Sequence, residues 1–145
     1  MTSTANAPTA LAHLRPYIFF YGRCQEALDF YADVLGGTSE VMLIKDTPVA
    51  EHFPTDFRDK VMHASFTAPG ISFFASDGRE AKGVDPDAGN ISIALSFTDS
   101  ALGQRVLDGL SDGGKVTMPL GDAFWGGRFA SLVDRFGVEW LMTLP

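Results

Sequence analysis

Hydrophobic positions in this chain change period along its length, and the changes mark its elements. Leu14–Tyr21, LRPYIFFY, is β-rich and aromatic, with Pro16 near its start where a missing N–H is tolerated, and it predicts a first strand. From Arg23 the spacing becomes three and four. Ala27, Phe30, Tyr31, Val34 and Leu35 then share one helical face, and Gly36–Gly37 stop the helix. Ser39–Lys45 predicts a second strand. Residues 46–59 carry Pro48, Pro54 and mixed charge, and read as a loop. Lys60–Thr67 and Ile71–Ser76 form a predicted hairpin about Ala68-Pro69-Gly70, and residues 77–89 are a polar connector.

After the connector the order repeats. Asn90–Phe97 predicts a strand, and Asp99 or Ser100 can cap a helix whose Leu102, Val106, Leu107 and Leu110 lie on one face, with Gly113–Gly114 as its stop. Three strands complete the half: Lys115–Met118, Arg128–Val133 and Val138–Leu144. They are separated by a Gly-rich loop holding Phe124–Trp125 and by the turn Asp134-Arg135-Phe136-Gly137, where Gly tolerates positive φ and Asp caps its own turn. Sliding one half onto the other lays Phe30, Tyr31 and Val34 on Val106, Leu107 and Leu110, and Gly37 on Gly113. The pattern predicts an α+β fold of two βαβββ modules, about 14–77 and about 90–145. Residues 1–13 form a short tail that lacks the charged and apolar segments of a secretory signal.

Composition narrows the function classes. The chain has 145 residues, enough for one domain with a full core, and its 46% hydrophobic and 20% charged content is ordinary for a globular protein. A net charge of −7, without basic runs among aromatics, argues against a nucleic-acid partner. No apolar run approaches the roughly 20 residues of a membrane helix, so no membrane partner is expected. Cys24 is the only cysteine. It rules out an internal disulfide and a Cys-rich zinc site, and it suits the cytoplasm.

The segment MPLGDAFWGGRF followed by DRFGVEW, together with FYADVLGG, VMHASF and GNISIAL in order, resembles the PhnB-like branch of the vicinal oxygen chelate superfamily, relatives of glyoxalase and bleomycin-resistance proteins. The resemblance covers the chain from about Leu14. It implies curved mixed sheets around a concave cavity, and a homodimer. In catalytic members a divalent metal is held by His, Glu or Gln on the first and last strands of each module. The matching positions here are Pro16, Phe74, Ser92 and Leu141, which form no metal site, and no metal or cofactor is expected. Glu139, two residues from Leu141 and on the same strand face, is the one acid that a shifted alignment would make a ligand. The methyltransferase label attached to this branch is not supported by the residues. Such enzymes need a Gly-rich strand-to-helix turn, whereas Gly36–Gly37 and Gly113–Gly114 follow helices and Gly126–Gly127 precede a strand.

Other polar candidates are few. Strand alternation places His63 with Val61 and Ser65 on one face and Met62, Ala64 and Phe66 on the other, so it reads either as a structural histidine or as an acid/base in the cavity. His13 and His52 lie in the tail and loop and read as solvated. Cys24 starts a helix with no basic partner nearby and reads as packing.

The aromatic residues carry the ligand-site expectation. Phe19, Phe73, Phe124, Trp125 and Trp140, with His63 and Arg128, are expected to line the cavity that the resemblance implies, in the manner of apolar small-molecule pockets. Core packing is the alternative for the rings, since twelve Phe must be buried somewhere. Asp122 and Arg128 bracket the Phe124–Trp125 loop and are expected to pair with each other. Three functions follow: a metal-independent small-molecule binder, a metal-dependent lyase or isomerase using His63 and Glu139, and an oligomeric or regulatory module. No catalytic residue is named for the first.

Overall fold

The computed structural model describes residues 10–85 and 89–145. Most of the expected tail and residues 86–88 of the connector lie outside the described residues. The first module runs β1 (Tyr17–Phe19), α1 (Cys24–Leu35), β2 (Thr38–Leu43), β3 (Val61–Ala68) and β4 (Ile71–Ser76). The second runs β5 (Ile93–Ser96), α2 (Ser100–Ser111), β6 (Lys115–Asp122), β7 (Arg128–Val133) and β8 (Glu139–Leu144). Each module makes one four-stranded mixed sheet, in the orders β1-β4-β3-β2 and β5-β8-β7-β6. In both, the strand before the helix pairs parallel with the last strand, and the remaining pairs are antiparallel. The α+β fold of two βαβββ modules is therefore present.

Helix starts and stops follow from their caps. Gly36 ends α1 in the left-handed conformation, φ 73°, with its N–H bonded to the Ala32 carbonyl. The other end has no local cap, because Arg23 occupies the N-cap without a side-chain bond. Asp77, just past β4, takes that role from a distance. Its Oδ1 accepts from the Gly22 and Cys24 N–H groups at 2.7 and 2.8 Å, and its Oδ2 accepts from Val61 N–H. In α2 the cap is Asp99, which accepts from Ala101 and Leu102 N–H.

One core joins the modules. Ala27, Leu28 and Tyr31 of α1 and Val106, Leu107 and Leu110 of α2 pack against Ala64, Phe66 and Phe73 of the first sheet and Leu132, Trp140 and Met142 of the second. At its centre Asp134 is buried. Its Oδ2 accepts from Tyr31 O–H (2.5 Å) and Trp140 Nε1–H (2.9 Å), and its Oδ1 accepts from Phe136 and Val138 N–H. Burial, reinforced by the Asp134 charge, pushes the Tyr31 hydroxyl well above the usual phenol range, so it stays a donor. Cys24 is fully buried, and burial pushes its thiol up, which fits packing rather than chemistry.

Several sequence expectations shift. The first strand shrinks from Leu14–Tyr21 to three residues: its pairing with β4 begins only at Tyr17, opposite Phe74, and the backbone turns away by Tyr21, whose φ is 49°. Leu102 is 38% exposed. Gly103 takes its place in the core, where a Cβ would stand 2.6 Å from Leu144 Cγ. Alternation on β3 breaks at a register shift between Met42 and Leu43, which pair with His63 and Val61, so Val61 turns inward away from His63.

Asp134→Ala would leave buried donors from both modules unpaired. It is expected to destabilise the fold by about 3 kcal/mol or more, against about 1 kcal/mol for Tyr31→Phe. Urea unfolding checks this, and equal midpoint shifts for the two variants would contradict it.

Candidate functional site

Both helices cover one face of each sheet and leave the other face open. On the first sheet alternation turns Arg15, Tyr17 and Phe19 outward from the β1 segment, His63 and Ser65 from β3, and Ser72 and Phe74 from β4. The rings form a contiguous set. Tyr17 lies 5.2 Å from Phe19 and 6.1 Å from Phe74, His63 lies 5.1 Å from Phe74, and Phe19 lies 6.1 Å from Tyr21, all between centroids. Tyr17 Oη and His63 Nδ1 are hydrogen-bonded at 3.0 Å.

On the second sheet the β5 and β8 segments turn Ser92 and Glu139 outward, and the Ser92 hydroxyl donates to Glu139 Oε1. Between β1 and β5 opens a crevice of about 590 Å³. Tyr17, Phe19 and Tyr21 form its aromatic side, and Asp85, Asn90, Ser92 and Glu139 its polar side. Tyr17 and Phe19 are 42% and 47% exposed. Tyr21 is the one non-glycine residue with positive φ among the described residues, a conformation worth about 1 kcal/mol or more of strain, and it turns the chain from β1 toward α1 at the crevice rim.

These residues do not fit a divalent metal. Tyr17 and Phe74 stand opposite each other on β1 and β4, and Ser92 bonds Glu139 across β5 and β8, so the four seam positions offer one carboxylate and two hydroxyls. Among the described residues no three His, Cys, Asp or Glu side chains converge. His63 has Nδ1 engaged by Tyr17, does not line the crevice, and is separated from β8 by β4, β1, the seam and β5.

The residues expected around one cavity are divided among three places. Phe19 lines the seam crevice and His63 touches its aromatic wall through Tyr17. Phe73 and Trp140 instead face the core. Phe73 stacks on Phe66 at 4.9 Å, and Trp140 is 1% exposed with its N–H on Asp134, because strand alternation groups each with the inward side chains of its strand.

Phe124 and Trp125 form the tip of the β6–β7 hairpin, 97% and 60% exposed, beside a separate hollow of about 390 Å³ that shares no lining residue with the crevice. Arg128 pairs with Asp122 through the backbone ladder only. Its Nε–H points to the Pro145 carbonyl at 3.5 Å, and the expected ion pair does not form. Sequence reasoning missed Tyr17 and Tyr21. Tyr17 was findable, since it alternates in phase with Phe19, whereas Tyr21 is placed by a backbone turn that no periodicity signals.

The strand-to-helix turns are poor in glycine. Gly22 is the lone glycine between β1 and α1, and Phe97-Thr98-Asp99 link β5 to α2. The paired glycines lie after helices or within the β6–β7 hairpin, as expected.

Residues 12–143 match the family described as 3-demethylubiquinone-9 3-methyltransferase. The crystal structure of protein PA1353 from Pseudomonas aeruginosa is 36% identical, with a TM-score of 0.77 over 92% of this chain and 98% of that one. A Bacillus cereus structure described as a putative 3-demethylubiquinone-9 3-methyltransferase, PhnB protein, is 25% identical, with a TM-score of 0.70 over 91% of this chain and 98% of that one. Protein YjdN of Escherichia coli (strain K12) is 28% identical over 140 residues, covering 90% of this chain and 94% of its own. A structure from Frankia sp. EAN1pec described as a glyoxylase/bleomycin resistance protein/dioxygenase domain shares the fold at 15% identity, with a TM-score of 0.62 over 95% of this chain and 98% of that one. Matched almost end to end in sequence and in fold, the chain belongs to the 3-demethylubiquinone-9 3-methyltransferase-like, PhnB-like family.

Proposed function

We propose that this protein is a metal-independent small-molecule binder that takes its ligand in the seam crevice. The observation that carries the reading is the crevice itself: aromatic side chains left exposed on one wall face a few fixed polar groups on the other, the composition by which small ligands are held. The positions matched to the metal ligands hold Pro16, Phe74, Ser92 and Leu141, and the side chains that meet beside them at the seam, Tyr17 and Glu139, add a single carboxylate, which supports binding without a metal. A metal-dependent lyase built on His63 and Glu139 is disfavoured by the hydrogen bond that occupies His63 and by its distance across the sheet order from β8. The lone reduced cysteine suits a cytoplasmic setting.

A second copy of the chain is the proposed partner. Val116, Met118, Phe124 and Trp125 leave large apolar surfaces exposed along edge strand β6 and its hairpin, and covering such a patch favours a homodimer.

Three measurements check these readings. Small aromatic compounds are expected to raise the melting temperature, a ligand at one hundred times its Kd stabilising by about 2.7 kcal/mol. Phe19→Ala is expected to weaken that binding by about tenfold through loss of buried ring area. A compound panel that shifts nothing would remove the binding function. Protein purified without a histidine tag or chelator is expected to hold far less than one equivalent of transition metal, and His63→Ala is expected to leave the content unchanged. One equivalent lost in the variant would restore the lyase reading. Light scattering is expected to give twice the chain mass and Trp125→Asp to halve it; a monomeric wild type would refute the dimer.

A further inference from the structure

We propose that the seam crevice selects an organic cation, an ammonium, amidinium or ring-borne positive charge on an apolar body. The charge is held by Glu139 and the body by the rings of Tyr17 and Phe19. This rests on the reading of the crevice as the ligand site and assigns the chemical class of its occupant. Glu139 is half-buried, and its one recorded partner is the Ser92 hydroxyl, which donates to Oε1. Oε2 is left to accept from a ligand N–H, and no described cation pairs with the carboxylate. Ser92 fixes the carboxylate's orientation, so the acceptor is set in place before a ligand arrives.

The facing wall suits the same charge. The negative faces of aromatic rings attract cations, and Tyr17 and Phe19 are roughly half exposed with no described cation over either ring. Tyr21 shows the preference already satisfied within the chain, since the Lys82 ammonium sits 4.3 Å from its centroid. An anionic ligand would meet carboxylates rather than a matching charge, because Asp85 and Glu139 line the crevice, no described Lys or Arg does, and the nearby Lys82 is engaged by Tyr21. The nearest cation along β1, Arg15, is turned away: its Nε–H donates to Ser72 Oγ and its guanidinium lies 5.2 Å from the Phe74 centroid. The chain's net charge of −7 adds a field of the same sign.

The test is fluorescence titration of the full chain with three flat probes of similar size. These are 9-aminoacridine as the cation, 9-anthracenemethanol as the neutral compound and 9-anthracenecarboxylate as the anion. The cation is expected to bind tightest. Glu139→Gln, whose amide oxygen still accepts from Ser92, is expected to weaken the cation about tenfold, as loss of one charge-assisted hydrogen bond does, and to leave the neutral probe unchanged. Glu51→Gln makes the same change in net charge at an exposed position outside the crevice and is expected to alter neither. If the two variants weaken the cation equally, diffuse charge explains the binding and the assignment of Glu139 is overturned. If all three probes bind alike and Phe19→Ala weakens each, the crevice is the ligand site but cation selection is refuted. If no probe binds, both readings fail together.

Discussion

Two buried carboxylates hold this fold in its arrangement, and both are balanced by dipoles rather than by cations. Asp134 collects two backbone N–H groups, a phenol and an indole; Asp77 collects three backbone N–H groups. A charge taken out of water is costly unless its lone pairs are met, and here they are met by groups from parts of the chain that are remote in sequence. Asp77 fixes where α1 begins and where β3 begins. Asp134 ties the middle of α1, through Tyr31, to the β7–β8 hairpin. Helix α1 is thus fastened at its start by its own module and at its centre by the other, and the relative placement of the two sheets depends on it. The seam between β1 and β5, and with it the crevice, is a product of that fastening.

Periodicity and punctuation were enough for the architecture. The helix that Arg23 opens and Gly36 closes, the Lys60–Ser76 hairpin and the repeat of the same order after residue 89 all announce themselves in local spacing, and the structure has them within a few residues. Local signals do not carry the partners of a buried acid. Asp134 reads in sequence as the first residue of a tight turn, which it is, but nothing nearby indicates Tyr31 or Trp140 as its donors. The same limit explains the aromatic residues. Whether Phe73 faces the core or the open face is a matter of strand parity, and a shift of one residue exchanges the two answers. Gly103 displaced Leu102 from the core because Leu144, far along the chain, occupies the space.

The crevice itself was hidden for a different reason. It forms between two modules rather than within one, so its walls come from β1 and from the β5 and β8 segments, which no single motif spans. A fold does not by itself name a function, so the seam is read from its residues. There Tyr17 stands opposite Phe74 and Ser92 bonds Glu139, so the side chains that meet at the seam are two aromatic rings, a hydroxyl and one carboxylate.

Strand β1 has a further consequence. It is three residues long, lies at the edge of its sheet and is hydrogen-bonded to β4 alone, yet it supplies most of the aromatic wall. Few backbone bonds must open to release it, so its amides are expected to exchange with solvent before those of β3, which is paired on both sides. The aromatic wall is therefore the compliant one, whereas the opposite wall rests on β8, whose core face is anchored by Trp140 and Met142. Were a ligand to settle against β1 as proposed, slower exchange confined to this strand would be the trace of its occupancy.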